Sequence, residues 1–94
     1  MNSLVLKIYT PEQAYELQEC DYITLDIADG EKGEFSGSYG IKKGHADAVF
    51  AVAEGKITAK KDGEVVFVAK SSTGFATVKN NTVNVTVDKA DIIH

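Results

Sequence analysis

The stretch from Gly44 to Asp88 reads GHADAVFAVAEGKITAKKDGEVVFVAKSSTGFATVKNNTVNVTVD, and it decides the fold. Runs rich in Val, Ile, Phe and Thr are interrupted at short intervals by residues that favour turns. These interruptions are Glu54-Gly55, Lys61-Asp62-Gly63, Ser72-Thr73-Gly74 and Asn80-Asn81. Short β-rich runs separated by such residues predict a series of antiparallel hairpins.

Alternation of apolar and polar residues continues outside this stretch. The run from Tyr22 to Ile27 places Ile23, Leu25 and Ile27 on one face. No stretch has a convincing helical period, so the sequence predicts about nine to ten short strands. Because each sheet must hide an apolar face, we expect an all-β fold, a flattened sandwich of two antiparallel sheets. The predicted core residues are Leu6, Ile8, Ile23, Leu25, Val83, Val85 and Val87.

Two segments depart from simple alternation. The run from Glu64 to Lys70 is apolar on both faces, which predicts a central, covered strand. The segment from Glu34 to Lys43 is the least regular, because its glycines weaken any strand prediction. Phe35 and Tyr39 leave two alternatives open there, a short strand or a folded-back loop.

Length and composition indicate an ordinary globular domain. The chain has 94 residues, of which 44% are hydrophobic and 26% charged, so we expect a single domain over residues 1–94. No apolar run approaches the roughly 20 residues of a membrane span. The opening MNSLVLKIY lacks the basic and long apolar regions of a secretory signal.

Charge and cysteine content exclude some classes of protein. The net charge is -4, and all 10 basic residues are lysines. Nucleic-acid recognition relies heavily on arginine, so we do not expect a nucleic-acid partner. The single cysteine, Cys20, cannot form an internal disulfide, which is typical of a protein in the reducing cytosol.

The residues that carry chemistry elsewhere do not form a catalytic or metal-binding pattern here. His45 is the only histidine away from the C-terminus, and no nucleophile or second base is placed beside it by the sequence. The acidic run of Asp26, Asp29, Glu31 and Glu34 lacks the spacing of a calcium-binding loop. No glycine-rich phosphate loop or metal cluster is visible. We therefore expect no enzymatic activity and no cofactor.

Five blocks of sequence, in this order, suggest a family. They are LKIYTPE (6–12), YITLDIADGEKG (22–33), GIKKGHA (40–46), VAEGKIT (52–58) and GFATVKNNTVNVTVD (74–88). Together they resemble the N-terminal β-sandwich domain of the epsilon subunit of F-type ATP synthases. Three features depart from the family pattern. Extra residues lie near Glu34 to Tyr39, Lys42-Lys43 and Asp47 replace the usual prolines, and the chain ends at His94 without the C-terminal helical hairpin of the family.

The resemblance implies a non-catalytic subunit of the central stalk. Such a subunit docks on the gamma subunit and the c-ring and couples rotation to ATP synthesis. It would be cytoplasmic and peripheral on the inner face of the cell membrane, without direct membrane insertion. The alternative is a stand-alone epsilon-like interaction module with a different protein partner. A small enzyme or ligand-binding sandwich is a third, weaker possibility.

The resemblance also assigns candidate contact residues. It places Asp29, Glu31 and His45 on a loop, residues 29–45, that faces the c-ring. A gamma subunit needs an exposed apolar patch to bind. Alternation leaves four candidates outside for this patch, Tyr9, Tyr15, Val66 and Val68.

Overall fold

The computed structural model describes residues 3–28 and 35–93, and within them the chain forms strands joined by turns. The strands are β1 (Leu4–Tyr9), β2 (Ala14–Cys20), β3 (Tyr22–Ala28), β4 (Phe35–Lys42), β5 (Ala48–Lys61), β6 (Glu64–Ser71), β7 (Gly74–Lys79), β8 (Thr82–Val87) and β9 (Ala90–Ile92). No helix occurs in the described part of the chain, which confirms the prediction of an all-β fold.

Two of the predicted hairpin turns have the backbone that their residues favour. Asp62 and Gly63 have φ angles of 53° and 81°, and Asn80 and Asn81 have φ angles of 51° and 60°. Two successive residues with positive φ match the twist of paired strands, and Asp, Asn and Gly adopt this conformation most easily. The turns therefore close the β5–β6 and β7–β8 hairpins where the sequence predicts them.

The predicted turn at Glu54-Gly55 is wrong, because β5 runs through it as one strand of 14 residues. The first part of β5 pairs with β7, where Val52 lies opposite Gly74. The second part pairs with β6, where Gly55 lies opposite Ser71. The strand thus passes from one layer of the sandwich to the other.

The two layers form one continuous hydrogen-bonded path through β5. The path runs β2-β1-β8-β7-β5-β3-β4, with β6 paired to β5 and β9 paired to β6. Among the described strands, all pairings are antiparallel except β1 with β8, which is parallel. The expected antiparallel sandwich therefore includes one parallel pair, and alternation did not indicate it, since alternation reports which face is buried but carries no information on strand direction.

The core lies between the layers and contains every residue that the sequence predicts for it. Each of the seven is at most 4% exposed, and they are Leu6, Ile8, Ile23, Leu25, Val83, Val85 and Val87. Cys20 is also fully buried, and its Sγ lies 3.5 Å from the carbonyl oxygen of Leu4. Burial raises the pKa of the Cys20 thiol, so the thiol stays neutral at physiological pH.

The expectation of a central, covered β6 is wrong. β6 pairs on one side with β5 and on the other only with the three-residue β9. Val65 and Val66 are 40% and 41% exposed, whereas Phe67 packs against the core. Apolar residues on both faces here reflect an apolar outer surface and not a covered strand.

We expect Val85→Ala to lower the free energy of unfolding by roughly 1–3 kcal/mol, because it removes buried methyl groups from a close-packed core. Chemical denaturation measures this change. The neighbouring Thr86 is exposed, so Thr86→Ala serves as a control with a small effect. Equal unfolding midpoints for Val85→Ala and the unmodified chain would contradict the core position.

Candidate docking surfaces

An apolar row crosses four strands on the outer face of one layer. Ala51 lies opposite Phe75, Phe75 opposite Thr86, and Thr86 opposite Tyr9. Directly opposed residues share a face of the sheet, so these side chains stand side by side. Phe75 is 64% exposed and Tyr9 is 40% exposed. The row forms the floor of an open groove, which also includes Pro11, Gly74 and Val87.

Val49 extends this apolar face along β5. It lies two residues before Ala51, so both side chains point to the same side, and it is 71% exposed. We call Tyr9, Val49, Ala51 and Phe75 the apolar face. Exposed apolar patches of this kind mark protein interaction sites in many proteins.

The backbone of the groove requires glycine at one position. A Cβ atom at Gly74 would lie 2.0 Å from the carbonyl oxygen of Thr86, a main-chain atom that has no freedom to move aside. β7 and β8 therefore approach closely at this point. This close approach explains why glycine precedes Phe75 and fixes where the aromatic ring emerges.

The patch predicted from the sequence is only partly correct. Tyr9 belongs to the apolar face, but Tyr15 is partly buried against the core and its hydroxyl donates a hydrogen bond to Gln13. Val66 and Val68 lie on β6, in the other layer. The prediction missed Val49 and Phe75. The sequence carried a signal for Phe75: Ala76 and Val78 face inward, so alternation along β7 places Phe75 on the outer face.

His45 lies in the connection between β4 and β5, with both ring nitrogens engaged. Nδ1 lies 2.6 Å from the carbonyl oxygen of Ala46, and Nε2 lies 2.7 Å from the hydroxyl oxygen of Tyr39. A carbonyl oxygen only accepts hydrogen bonds, so Nδ1 donates to Ala46, and Nε2 shares a hydrogen bond with the Tyr39 hydroxyl. The ring centroid of Tyr39 is 4.6 Å from that of Phe50. His45 is therefore held by an aromatic cluster, with no nucleophile next to it among the described residues.

A second contact ties the same connection to the β7–β8 turn. The backbone N–H of Gly44 donates a 2.8 Å hydrogen bond to Oδ1 of Asn81. The backbone oxygen of Asn81 accepts a 2.9 Å bond from the N–H of Val5. One turn residue thus joins the β4–β5 connection and the first strand at the same end of the sandwich.

The predicted loop 29–45 is not a single loop, because residues 35–42 form β4. Asp29 and Glu31 lie outside the described residues. Ala28 and Phe35, the described residues on either side of them, pair at one end of the β3–β4 hairpin. Lys42 pairs with Tyr22 at the other end, next to His45. At about 3.3 Å per residue, the two ends are roughly 20 Å apart.

Residues 3–28 and 35–93 contain no group of three or more His, Cys, Asp or Glu side chains that would hold a metal ion. The same residues include no helix that is long and apolar enough to cross a membrane.

Fold and surface together define a small β-sandwich domain that carries an apolar outer face. Comparison with known families identifies it further. The family model for the β-sandwich domain of the ATP synthase Delta/Epsilon chain matches residues 3–92, and the chain belongs to this family.

Individual relatives agree with this assignment. The chain is 30% identical over 89 residues to an ATP synthase epsilon chain of Synechococcus sp. (strain JA-2-3B'a(2-13)), covering 95% of this chain and 59% of that relative. The fold is similar to a chain in the cryo-EM structure of the Euglena gracilis mitochondrial ATP synthase (OSCP/F1/c-ring), with a TM-score of 0.76 and 23% identity. That match covers 98% of this chain and 54% of the other.

A second structure has the same fold. It is a chain from the central stalk and c-ring of the Tetrahymena thermophila mitochondrial ATP synthase, with a TM-score of 0.70 and 16% identity. That match covers 95% of this chain and 66% of the other. The chain therefore spans about half to two thirds of the length of these relatives.

We expect Asn81→Gly to release the β4–β5 connection while leaving the turn intact. Glycine adopts the positive φ of Asn81 without strain but lacks the side-chain acceptor for Gly44. Loss of one such hydrogen bond costs about 0.5–1.5 kcal/mol. Amide hydrogen exchange at Gly44 should become faster in this variant. The matched control is Asn80→Gly, which also has positive φ and should leave the Gly44 amide unchanged.

Proposed function

We propose that this chain is the docking domain of an epsilon-type subunit in the central stalk of an F-type ATP synthase. Its role is non-catalytic: it joins the gamma subunit to the c-ring and helps to couple rotation to ATP synthesis. Family membership over residues 3–92 supports the class of subunit. The observation that carries the docking role is the apolar face, which leaves Phe75 and Val49 largely exposed.

The gamma subunit is the proposed occupant of the apolar face. A Phe and a Tyr on a rigid sheet offer large contact area at low entropic cost, and such aromatic anchors dominate many interfaces. Polar residues rim the groove, among them Thr10, Thr73 and Asp88. An apolar centre with a polar rim is the usual anatomy of a protein interface.

The c-ring contact is proposed to include Asp29, Glu31 and His45. Since Ala28 and Lys42 mark opposite ends of the β3–β4 hairpin, a ring surface that meets all three must follow the length of β4. Acidic residues at a rim act mainly on the rate of encounter and on register. In this arrangement the domain lies peripherally, on the cytoplasmic side of the cell membrane, without inserting into it.

Replacing Phe75 with Glu should remove gamma binding. Phe75 is 64% exposed, so the folded domain tolerates the change, whereas a buried charge in an interface is costly. Loss of an aromatic anchor typically costs 2 kcal/mol or more, which corresponds to about 30-fold weaker binding. Co-purification with gamma and calorimetric titration measure the loss. Val66→Glu, at an exposed apolar position on β6 in the other layer, is the control for added charge, and equal binding by both variants would contradict this site.

The proposed ring contacts at the two ends of β4 are tested separately, with Glu31→Lys and His45→Ala as individual variants. If both ends meet the ring, each variant weakens assembly on the c-ring and leaves gamma binding intact. The Glu31→Lys effect should decrease as salt rises, because it acts through a screened charge. Normal assembly by both variants in a reconstituted motor would exclude this contact.

A further inference from the structure

Two lysines and a tyrosine form one row across the layer that contains β3, β4 and the second part of β5. Tyr22 of β3 lies opposite Lys42 of β4 on one side and opposite Lys60 of β5 on the other. On each strand a residue adjacent to the row is buried in the core; these residues are Ile23, Ile41 and Ala59. Because successive strand residues alternate between faces, the row points outward.

An open cavity of about 580 Å³ lies beside this row. Its lining includes the three residues of the row, together with Lys43 after β4, Asp21 before β3 and Gly63 of the β5–β6 turn. Sites for small molecules usually have volumes of roughly 300–1,000 Å³. We call the space lined by Tyr22, Lys42, Lys43 and Lys60 the lysine cavity.

The positive charge of the lysine cavity is not balanced within the described part of the chain. Asp21 is the acidic residue of the lining, and its Oδ2 accepts a 2.7 Å hydrogen bond from the backbone N–H of Asp62. None of the three lysines forms an ion pair with a described carboxylate. Three ammonium groups therefore converge on one cavity of a chain whose net charge is -4.

The Tyr22 ring gives the lysine cavity an apolar wall. A Cβ atom at Gly40 would collide with the Tyr22 hydroxyl, so glycine at this position makes room for the ring along β4. The Nζ atom of Lys42 lies 5.8 Å from the ring centroid, within the range of a cation–π interaction. Lysine stems add methylene groups to such a wall while their ammonium groups stay at the rim.

We propose that the lysine cavity binds a phosphate group that is attached to an apolar or aromatic body. A phosphate monoester carries a charge of about -1.5 to -2 near neutral pH, and lysine binds phosphate as a point charge. A carboxylate carries a single charge and would leave more of the lysine charge unbalanced. The apolar wall accommodates the carbon part of the ligand. A soluble phosphate ester and the headgroup region of an anionic phospholipid share this chemistry.

The lysine cavity is distinct from the surfaces proposed for the stalk. His45 is close in sequence, but Tyr39, which contacts its ring, lies opposite the buried Leu25 and points to the core side of β4. Lys42 points to the other side of the same strand. The apolar face with Phe75 belongs to the other layer. The inference therefore does not depend on the proposed role in the synthase, and its failure would leave gamma binding unaffected.

The test uses the full chain and two kinds of phosphate. NMR titration with phenyl phosphate should give saturable shifts of the amide signals of residues 21–22, 42–43, 60 and 63. Benzoate has the same ring but one charge, so at equal ionic strength it should bind about tenfold more weakly. Co-sedimentation with vesicles of equal parts phosphatidylglycerol and phosphatidylcholine tests the lipid source, with pure phosphatidylcholine vesicles as the reference. Saturable shifts without sedimentation assign a soluble ester, and sedimentation that Lys42→Gln with Lys60→Gln abolishes assigns a headgroup.

The double variant Lys42→Gln with Lys60→Gln should weaken binding of the phosphate probe about tenfold, because it removes two of the converging charges. The matched control is Lys79→Gln with Lys89→Gln, which removes the same charge at exposed positions outside the cavity and should leave binding unchanged. Thermal unfolding checks that each variant is folded. Lys60 is half-buried, so Lys43→Gln, at a fully exposed position, provides a second variant with an expected loss of about threefold.

Three outcomes would overturn the inference. The first is binding of benzoate as tight as that of phenyl phosphate, which would show that the cavity does not select the phosphate charge. The second is an equal loss in the two double variants, which would indicate general attraction to a lysine-bearing surface. The third is the absence of both the amide shifts with phenyl phosphate and the sedimentation with phosphatidylglycerol vesicles.

Discussion

The passage of β5 from one layer to the other is the constraint on which the rest of the molecule depends. At this passage Gly55 lies against the side chain of Asp26, where an added Cβ atom would be 2.3 Å from Oδ2. The same oxygen accepts a 2.9 Å hydrogen bond from the backbone N–H of Lys56, and Oδ1 accepts one from Ser38. A single carboxylate thus joins three strands at the point where the long strand changes partners.

The placement of the apolar face and of the edge strand β4 follows from this arrangement. The first part of β5 carries Val49 and Ala51 into the layer with β7, which completes the apolar face beside Phe75. The second part pairs with β3, which in turn holds β4 at the margin of the other layer. β5 therefore contributes to the apolar face in one layer and supports, through β3, the edge strand β4 in the other layer.

The buried side of the fold was predictable because it depends on local alternation. Successive strand residues point to opposite faces, so Ile23 and Leu25 point into the core while the polar residues beside them point away from it. The Asn80-Asn81 turn follows from residues that tolerate positive φ. Strand continuity through Gly55 was not predictable, because the same glycine that suits a turn is required here by the approach of Asp26. The local pattern does not distinguish these causes.

The surface was harder to predict than the core. Tyr9 was identified from alternation, but its neighbours on the apolar face come from β5 and β7, and only the register of the sheet brings them together. Likewise, the sequence resemblance joins the acidic positions and His45 in one segment, whereas pairing of β3 with β4 separates the hairpin ends. Which exposed residues become neighbours is set by strand pairing, which no single segment encodes.

The burial of Cys20 has a practical consequence. It is the one thiol of the chain, it lies at 0% exposure in the core, and its raised pKa keeps it in the unreactive protonated form. A cysteine introduced at an exposed position would therefore react selectively with maleimide dyes or cross-linkers without removal of the native residue. Site-specific probes of distance and orientation can be attached to the otherwise unmodified sequence.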